Sequence, residues 1–252
     1  MRILARLLNE LPSYKVMDVR IGLHWSAVTV DAGDRIQCGL AATLHTSNEH
    51  PSEQDIPEAG SLNSLNSDGL ASWVLGDHPV QASVGLAALN ASLPPQPHTW
   101  QDVNAEDVIA RHGAGRKVAL VGHFPFVDRL KKRVGRLYIL EQQPRPGDYP
   151  AEAAQELIPQ ADVVAITGMT LSNHTLEGLL ALCHPDSLVI LLGPSTPLSP
   201  ILFDFGIDWL SGAVVTKVEP VLQAVSQAAN FRQLHKLGVK LVNIARPGIE
   251  NL

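Results

Sequence analysis

A chain of 252 residues that is 45% apolar, 17% charged and −6 in net charge has enough hydrophobic substance for one large or two modest packed domains, and too much to stay disordered. Its one basic run is Lys131-Lys132-Arg133, so nucleic acid is excluded as a main partner, because phosphate binding needs clustered Lys and Arg. Cys38 and Cys183 form neither a CxxC pair nor a disulfide framework, which fits a reducing cytoplasmic compartment, and no apolar run is long enough for a bilayer.

The chain opens on MRILARLLNELP. Leu4, Leu7, Leu8 and Leu11 fall at helical spacing between charges, not as the long apolar core of a signal peptide. Strand-like stretches follow at 15–22, 24–30 and 35–43, the last two joined by the turn signal Asp31-Ala32-Gly33-Asp34. A polar, turn-rich stretch covers 45–69, and helices are expected around 68–76 and 79–91. The second, rich in Ala, Gly and Ser, permits close backbone packing. Residues 1–92 thus read as a small α+β domain. LPPQPHTW, with three prolines in five residues, opens a semi-rigid linker over 93–104.

From 105 to 252 the rhythm changes. Strands at 117–122, 136–140, 162–168, 187–193, 211–215 and 239–244 alternate with helices around 105–111, 125–134, 151–158, 173–183, 199–205 and 219–229. The strands are continuous apolar runs, as expected of a parallel sheet covered on both faces. The fold class is therefore α/β: a Rossmann-like, doubly wound domain behind a smaller α+β domain.

Open parallel sheets bind ligands beyond the carboxyl ends of their strands. The first strand ends in Gly122-His123-Phe124-Pro125, and the second in Glu141 and then Arg145-Pro146-Gly147-Asp148. The third ends in Thr167-Gly168-Met169-Thr170 with Asn173, and the fourth in Gly193-Pro194-Ser195-Thr196. His123 and Glu141 carry the acid–base chemistry in this reading. Gly122, Phe124, Pro125, Arg145, Asp148, Thr167, Gly168, Thr170, Asn173, Gly193, Pro194, Ser195 and Thr196 bind and orient a small-molecule ligand in this reading.

Glu141 stands 19 residues after Gly122, near the spacing of an acid that holds a ribose hydroxyl, but GHFPFV lacks the glycines that let backbone approach a pyrophosphate. A nucleoside ligand without pyrophosphate, such as S-adenosylmethionine, is less disfavoured. No HExxH motif, paired CxxC or GxSxG elbow occurs, and His174 and Cys183-His184 sit at opposite ends of one expected helix.

SVGLAALNA (83–91), KVALVGHFPFV (117–127), EQQPRPGDYPAEAAQELIPQADVVAITGMTLSNHTLEGLL (141–180), GPSTPLSPILFDFGIDWLSG (193–212) and GVKLVNI (238–244) together resemble an uncharacterised prokaryotic family named for heavy-metal chelation. The resemblance implies an enolase N-terminal-like domain followed by a Rossmann-like domain, with the site between them. It also implies a role in making or handling a pterin-, flavin- or siderophore-like compound. Three functions stay open: an enzyme that condenses or hydrolyses such a compound, a non-catalytic binder of a metal ion or metal–chelator complex, and an S-adenosylmethionine-dependent transferase. Apolar first-domain segments and small-residue helices would also suit a homodimer face.

Overall fold

The computed structural model describes residues 1–45 and 56–249; of the polar stretch expected as a loop at 45–69, residues 46–55, His50 among them, lie outside the described part. After α1 (Arg2–Asn9), strands β1 (Lys15–Ile21), β2 (Trp25–Asp31) and β3 (Ile36–Ala42) form a three-stranded antiparallel sheet in that order. The β2–β3 turn is the one its sequence signals: Gly33 takes φ +90°, and its N–H donates to Asp31 Oδ1 at 2.9 Å.

Helix α3 (Pro79–Ser92) packs on this sheet, and α2 (Ser67–Ser72) packs against α3. Ten of the fourteen α3 residues are buried. The small side chains let backbones meet: a Cβ on Gly39 of β3 would lie 2.2 Å from both Ala87 O and Ala91 N of α3, and one on Gly85 would lie 2.2 Å from Val74 N.

The remainder runs α4 (Ala105–Gly113), β4 (Lys117–Val121), α5 (Val127–Leu130), β5 (Arg136–Glu141), β6 (Tyr149–Pro150), α6 (Ala154–Leu157), β7 (Val163–Thr167), α7 (Met169–Ser172), α8 (Leu176–Leu180), β8 (Leu188–Leu192), β9 (Trp209–Val215), α9 (Val218–Ser226), α10 (Phe231–Leu237) and β10 (Val239–Ala245). A 3₁₀ helix over Pro200–Phe205 precedes β9. The seven-stranded sheet has the order β10-β9-β8-β7-β4-β5-β6. All its pairings are parallel except β9 with β10. The chain starts at β4 and winds outward in both directions, so the α/β, doubly wound expectation holds and the switch point lies between β4 and β7.

Three local expectations change. The helix expected at 173–183 breaks at Asn173 and His174, because Asn173 Oδ1 accepts from Thr175 N and Oγ1 (3.2 and 2.7 Å) and His174 adopts φ +61°. The helix expected at 125–134 keeps α-form only over Val127–Leu130, then tightens into turns with i→i+3 bonds at Lys132 and Arg133. Helix α10 is additional. It starts with a capping box in which Asn230 Oδ1 accepts from Gln233 N and Gln233 Oε1 accepts from Asn230 N. Helices α9 and α10 lie between β9 and β10, which pair antiparallel.

Each face of the large sheet has its own core. Val118, Leu120, Ile139, Ala165, Ile190 and Trp209 pack with Val108, Ile109, Val127 and Leu130 of α4 and α5. Ala119, Leu140, Val164, Ile166, Leu191 and Leu210 share a cluster with Ile3, Leu4 and Leu7 of α1, Val28 and Val30 of β2, and Leu86 and Leu89 of α3. Ala27 and Leu40 of the small sheet pack on Val221, Leu222, Val225 and Leu234. The N-terminal layer is thus part of the covering of the large sheet. The proline-rich stretch runs along β10, where Gln101 and Asn243 exchange backbone hydrogen bonds at 2.8 and 3.2 Å and Asn243 Nδ2 donates to Val103 O.

Candidate functional site

A cavity of about 670 Å³ opens between the two sheets, at the carboxyl ends of β4, β5, β7 and β8. Each of those strands is apolar and buried through its middle, and each ends where the backbone must turn. Gly122 and Gly193 do this at φ +102° and +110°, conformations that a side chain would strain. Their N–H groups donate to Leu140 O and Ser211 O, both at 2.9 Å, so each turn begins from a strand pairing.

The cavity brings together Gly122, His123, Phe124, Pro125, Glu141, Thr167, Thr170, Asn173, Gly193, Pro194 and Ser195. It does not bring in Arg145, Asp148, Gly168 or Thr196. Arg145 borders a neighbouring pocket with His123, Phe124 and Pro125. Gly168 is buried against Thr196: a Cβ there would fall 2.6 Å from Thr196 Oγ1 and 2.7 Å from Thr196 N. Thr196 is 2% exposed, and its Oγ1 has no hydrogen-bond partner among the described residues. It packs beneath the loop and presents nothing to a ligand.

Asp148 acts from behind. The PRPGD turn folds back so that Asp148 Oδ2 lies 2.9 Å from His123 Nδ1, with the carboxylate side chain 2% exposed and the imidazole 21% exposed. Asp148 Oδ2 also accepts from Arg145 N, at 3.2 Å. An ionised carboxylate can only accept, so Nδ1 carries the proton and Nε2 is left as the basic nitrogen.

Glu141 is fixed as firmly. Its Oε2 accepts from His123 N and its Oε1 from Gln142 N, each at 2.9 Å. The carboxylate therefore pins the β4 loop to the end of β5.

The hydroxyls divide between structure and cavity. Ser195, 2% exposed, accepts from Ala42 N of β3 at 2.9 Å, while Asn90 Nδ2 of α3 donates to Ser195 O at 3.1 Å and to Leu40 O at 2.9 Å. GPST is thus where the small sheet is tied to the large one. Thr170 Oγ1 donates to Thr167 O at 2.7 Å and closes the turn into α7.

The remaining wall came from segments that reading strand ends does not reach. Trp25 of β2 and Phe231 of α10 meet at 5.5 Å between ring centroids; both line the cavity, as does Leu44. Phe124 and Phe126 stack at 5.2 Å with rings 15° from parallel. On the rim, the 5%-exposed Glu106 binds Arg129, with Nη2 2.6 Å from Oε2. That contact holds the Arg129 guanidinium above its usual value. The capping box Asn230-x-x-Gln233 was the signal that would have revealed α10 and hence Phe231.

No three His, Cys, Asp or Glu side chains among the described residues are placed to hold a metal ion. His174 Nε2 bonds Val74 O at 2.7 Å, joining the β7 loop to the α2–α3 corner. No helix among the described residues is long and apolar enough to cross a membrane.

Residues 104–243 match the DUF364 family model and residues 4–93 the DUF4213 model, both described as "Putative heavy-metal chelation". An uncharacterized protein of Methanocaldococcus jannaschii is 28% identical over 231 residues, spanning 88% of this chain and 86% of that protein. The crystal structure of a DUF364-family protein of unknown function from Desulfitobacterium hafniense is similar, with TM-score 0.83 and 29% identity over 97% of this chain and 98% of its own. A second such protein, from Pyrococcus horikoshii, has TM-score 0.80 at 18% identity over the same shares, a likeness of fold.

Proposed function

Since the chain belongs to the two-part family described as "Putative heavy-metal chelation", we propose that it binds a planar organic molecule of the pterin, flavin or siderophore kind between its sheets, and that His123 acts on that molecule as an acid–base catalyst. The observation that carries this reading is the His123–Asp148 pair at the mouth of an aromatic-walled cavity. In a condensation or hydrolysis, His123 Nε2 takes the proton from the attacking water or amine and returns it to the leaving group. Asp148 holds the tautomer and the orientation of the ring through both steps. The stacked Phe124 and Phe126 offer an apolar face to a flat ring.

The donor set does not suit a bare metal ion. His123 Nδ1 is committed to Asp148, and no three His, Cys, Asp or Glu side chains among the described residues are placed to form a cluster. A metal in this site enters inside its organic chelator, as substrate or cargo. That favours, as second reading, a protein that binds a metal–chelator complex without converting it.

The test is mass spectrometry of small molecules released by denaturing protein purified without added ligand, followed by incubation of the identified compound with wild type and His123→Ala. Turnover by wild type that His123→Ala lacks supports the enzyme; tight binding without turnover supports the carrier. Absence of any retained or rebinding planar compound overturns both.

A further inference from the structure

The site's charges do not match an anionic ligand. Arg129 is the cavity's guanidinium, and Glu106 occupies it. The turn after β4, where a phosphate would need free backbone N–H groups, instead carries Phe124, Pro125 and Phe126, and α5 behind it has only four residues. The carboxylate left facing the cavity is Glu141, at the end of the strand next to β4, beside the switch point.

Its geometry is that of a fixed double acceptor. Each oxygen takes one backbone N–H at 2.9 Å, from His123 and from Gln142. A carboxylate oxygen has two acceptor directions, so each keeps one. Glu141 thus keeps one acceptor direction on each oxygen while its two backbone bonds hold it in place, and a ligand with two adjacent O–H groups can use both.

We propose that Glu141 binds a vicinal diol on a planar, uncharged ligand, a role in recognition and not in proton transfer. This rests on the reading of the cavity as a site for a flat organic molecule and names the group that orients it. The diol belongs either to the ribose of a nucleoside or to a catechol ring, and the chemistry Glu141 recognises is common to both.

Calorimetric titration of the full chain with matched probes separates the possibilities: adenosine against 2′,3′-dideoxyadenosine, and catechol against phenol. In at least one pair the diol is expected to bind about tenfold or more tightly than its partner, as two hydrogen bonds to a charged acceptor require. Glu141→Gln, which keeps the size but loses one acceptor, is expected to reduce that ratio toward one, with thermal unfolding measured alongside to confirm a folded protein. Phe124→Leu is the control: it weakens both members of the pair and preserves their ratio.

The pair that responds identifies the source of the diol. Equal affinity of diol and partner in both pairs, with measurable binding, overturns the role of Glu141 and leaves the cavity reading standing. A diol preference that survives in folded Glu141→Gln overturns it likewise. No binding of any of the four rings defeats both.

Discussion

The Asp148 carboxylate and the His123 imidazole meet at 2.9 Å although they belong to different loops, one after β4 and the other in the turn following β5. Because Asp148 is buried and only accepts, it sets both the orientation of the ring and the nitrogen that bears its proton. Glu141 reinforces this from the other side by fixing the backbone of His123. The catalytic proposal depends on this relationship, so the first prediction follows from it. In ¹⁵N spectra of the folded protein, neutral His123 is expected as the Nδ1–H tautomer, and Asp148→Ala is expected to shift it toward the Nε2–H form. The same variant also removes the acceptor of the exposed Arg145 N–H and should cost about 0.5–1.5 kcal/mol in urea unfolding. An unchanged tautomer would contradict the pairing.

Ser195 and Asn90 tie β3 and α3 to the loop after β8. Ser195→Ala strands the Ala42 N–H, and Asn90→Ala removes two donors from buried carbonyls. Each is expected to destabilise by about 1–3 kcal/mol. Because the two residues share one junction, the double variant should lose less than the sum. Strict additivity in a double-mutant cycle would show that the two ties act separately.

Two glycines give opposite expectations. Gly39→Ala places a methyl 2.2 Å from the backbone of α3, where no side chain can swing aside, and α3 is held in the core. A loss above about 3 kcal/mol or failure to fold is expected. Gly178→Ala, within α8 and with nothing within 4 Å of the added carbon, should gain about 0.5–1 kcal/mol through helix propensity. Thermal unfolding of both variants checks the pair.

Burial pushes the Cys38 thiol up to about 12, with Asp18 adding to it, and the Cys183 thiol up to about 11, with Asp208 adding to it, from 9.0. The folded chain therefore holds these protons where the unfolded chain releases them. The associated stability is fully present below pH 9 and falls as pH rises through 9 toward 11 and beyond. Alkylation with iodoacetamide at pH 8 should be slow in the native protein and complete after denaturation, read by intact mass. Rapid native labelling at either position would overturn the burial assigned to it.

The strand-end rule led to residues that line the cavity because it depends on chain direction alone: apolar runs that end in glycine, histidine or hydroxyl residues fix which residues reach the sheet's edge. It could not say which way each side chain turns. Asp148 and Thr196 sit in the right loops, yet one faces the back of His123 and the other the packing beneath Gly168. Nor could it find Trp25 and Phe231, whose approach to the cavity depends on how the small sheet and α10 pack on the large one.

By itself the sequence determined the α/β alternation, the hairpin at Gly33 and the loops that line the cavity, since local periodicity and turn residues act over a few positions. Tertiary structure alone decided that β10 runs antiparallel, that Ser195 ties two sheets together, and that His123 finds Asp148 and not open solvent. Those outcomes depend on contacts between segments 25 to 153 residues apart, and which distant groups meet is settled by packing whole elements into one core, not by the preferences of any one of them.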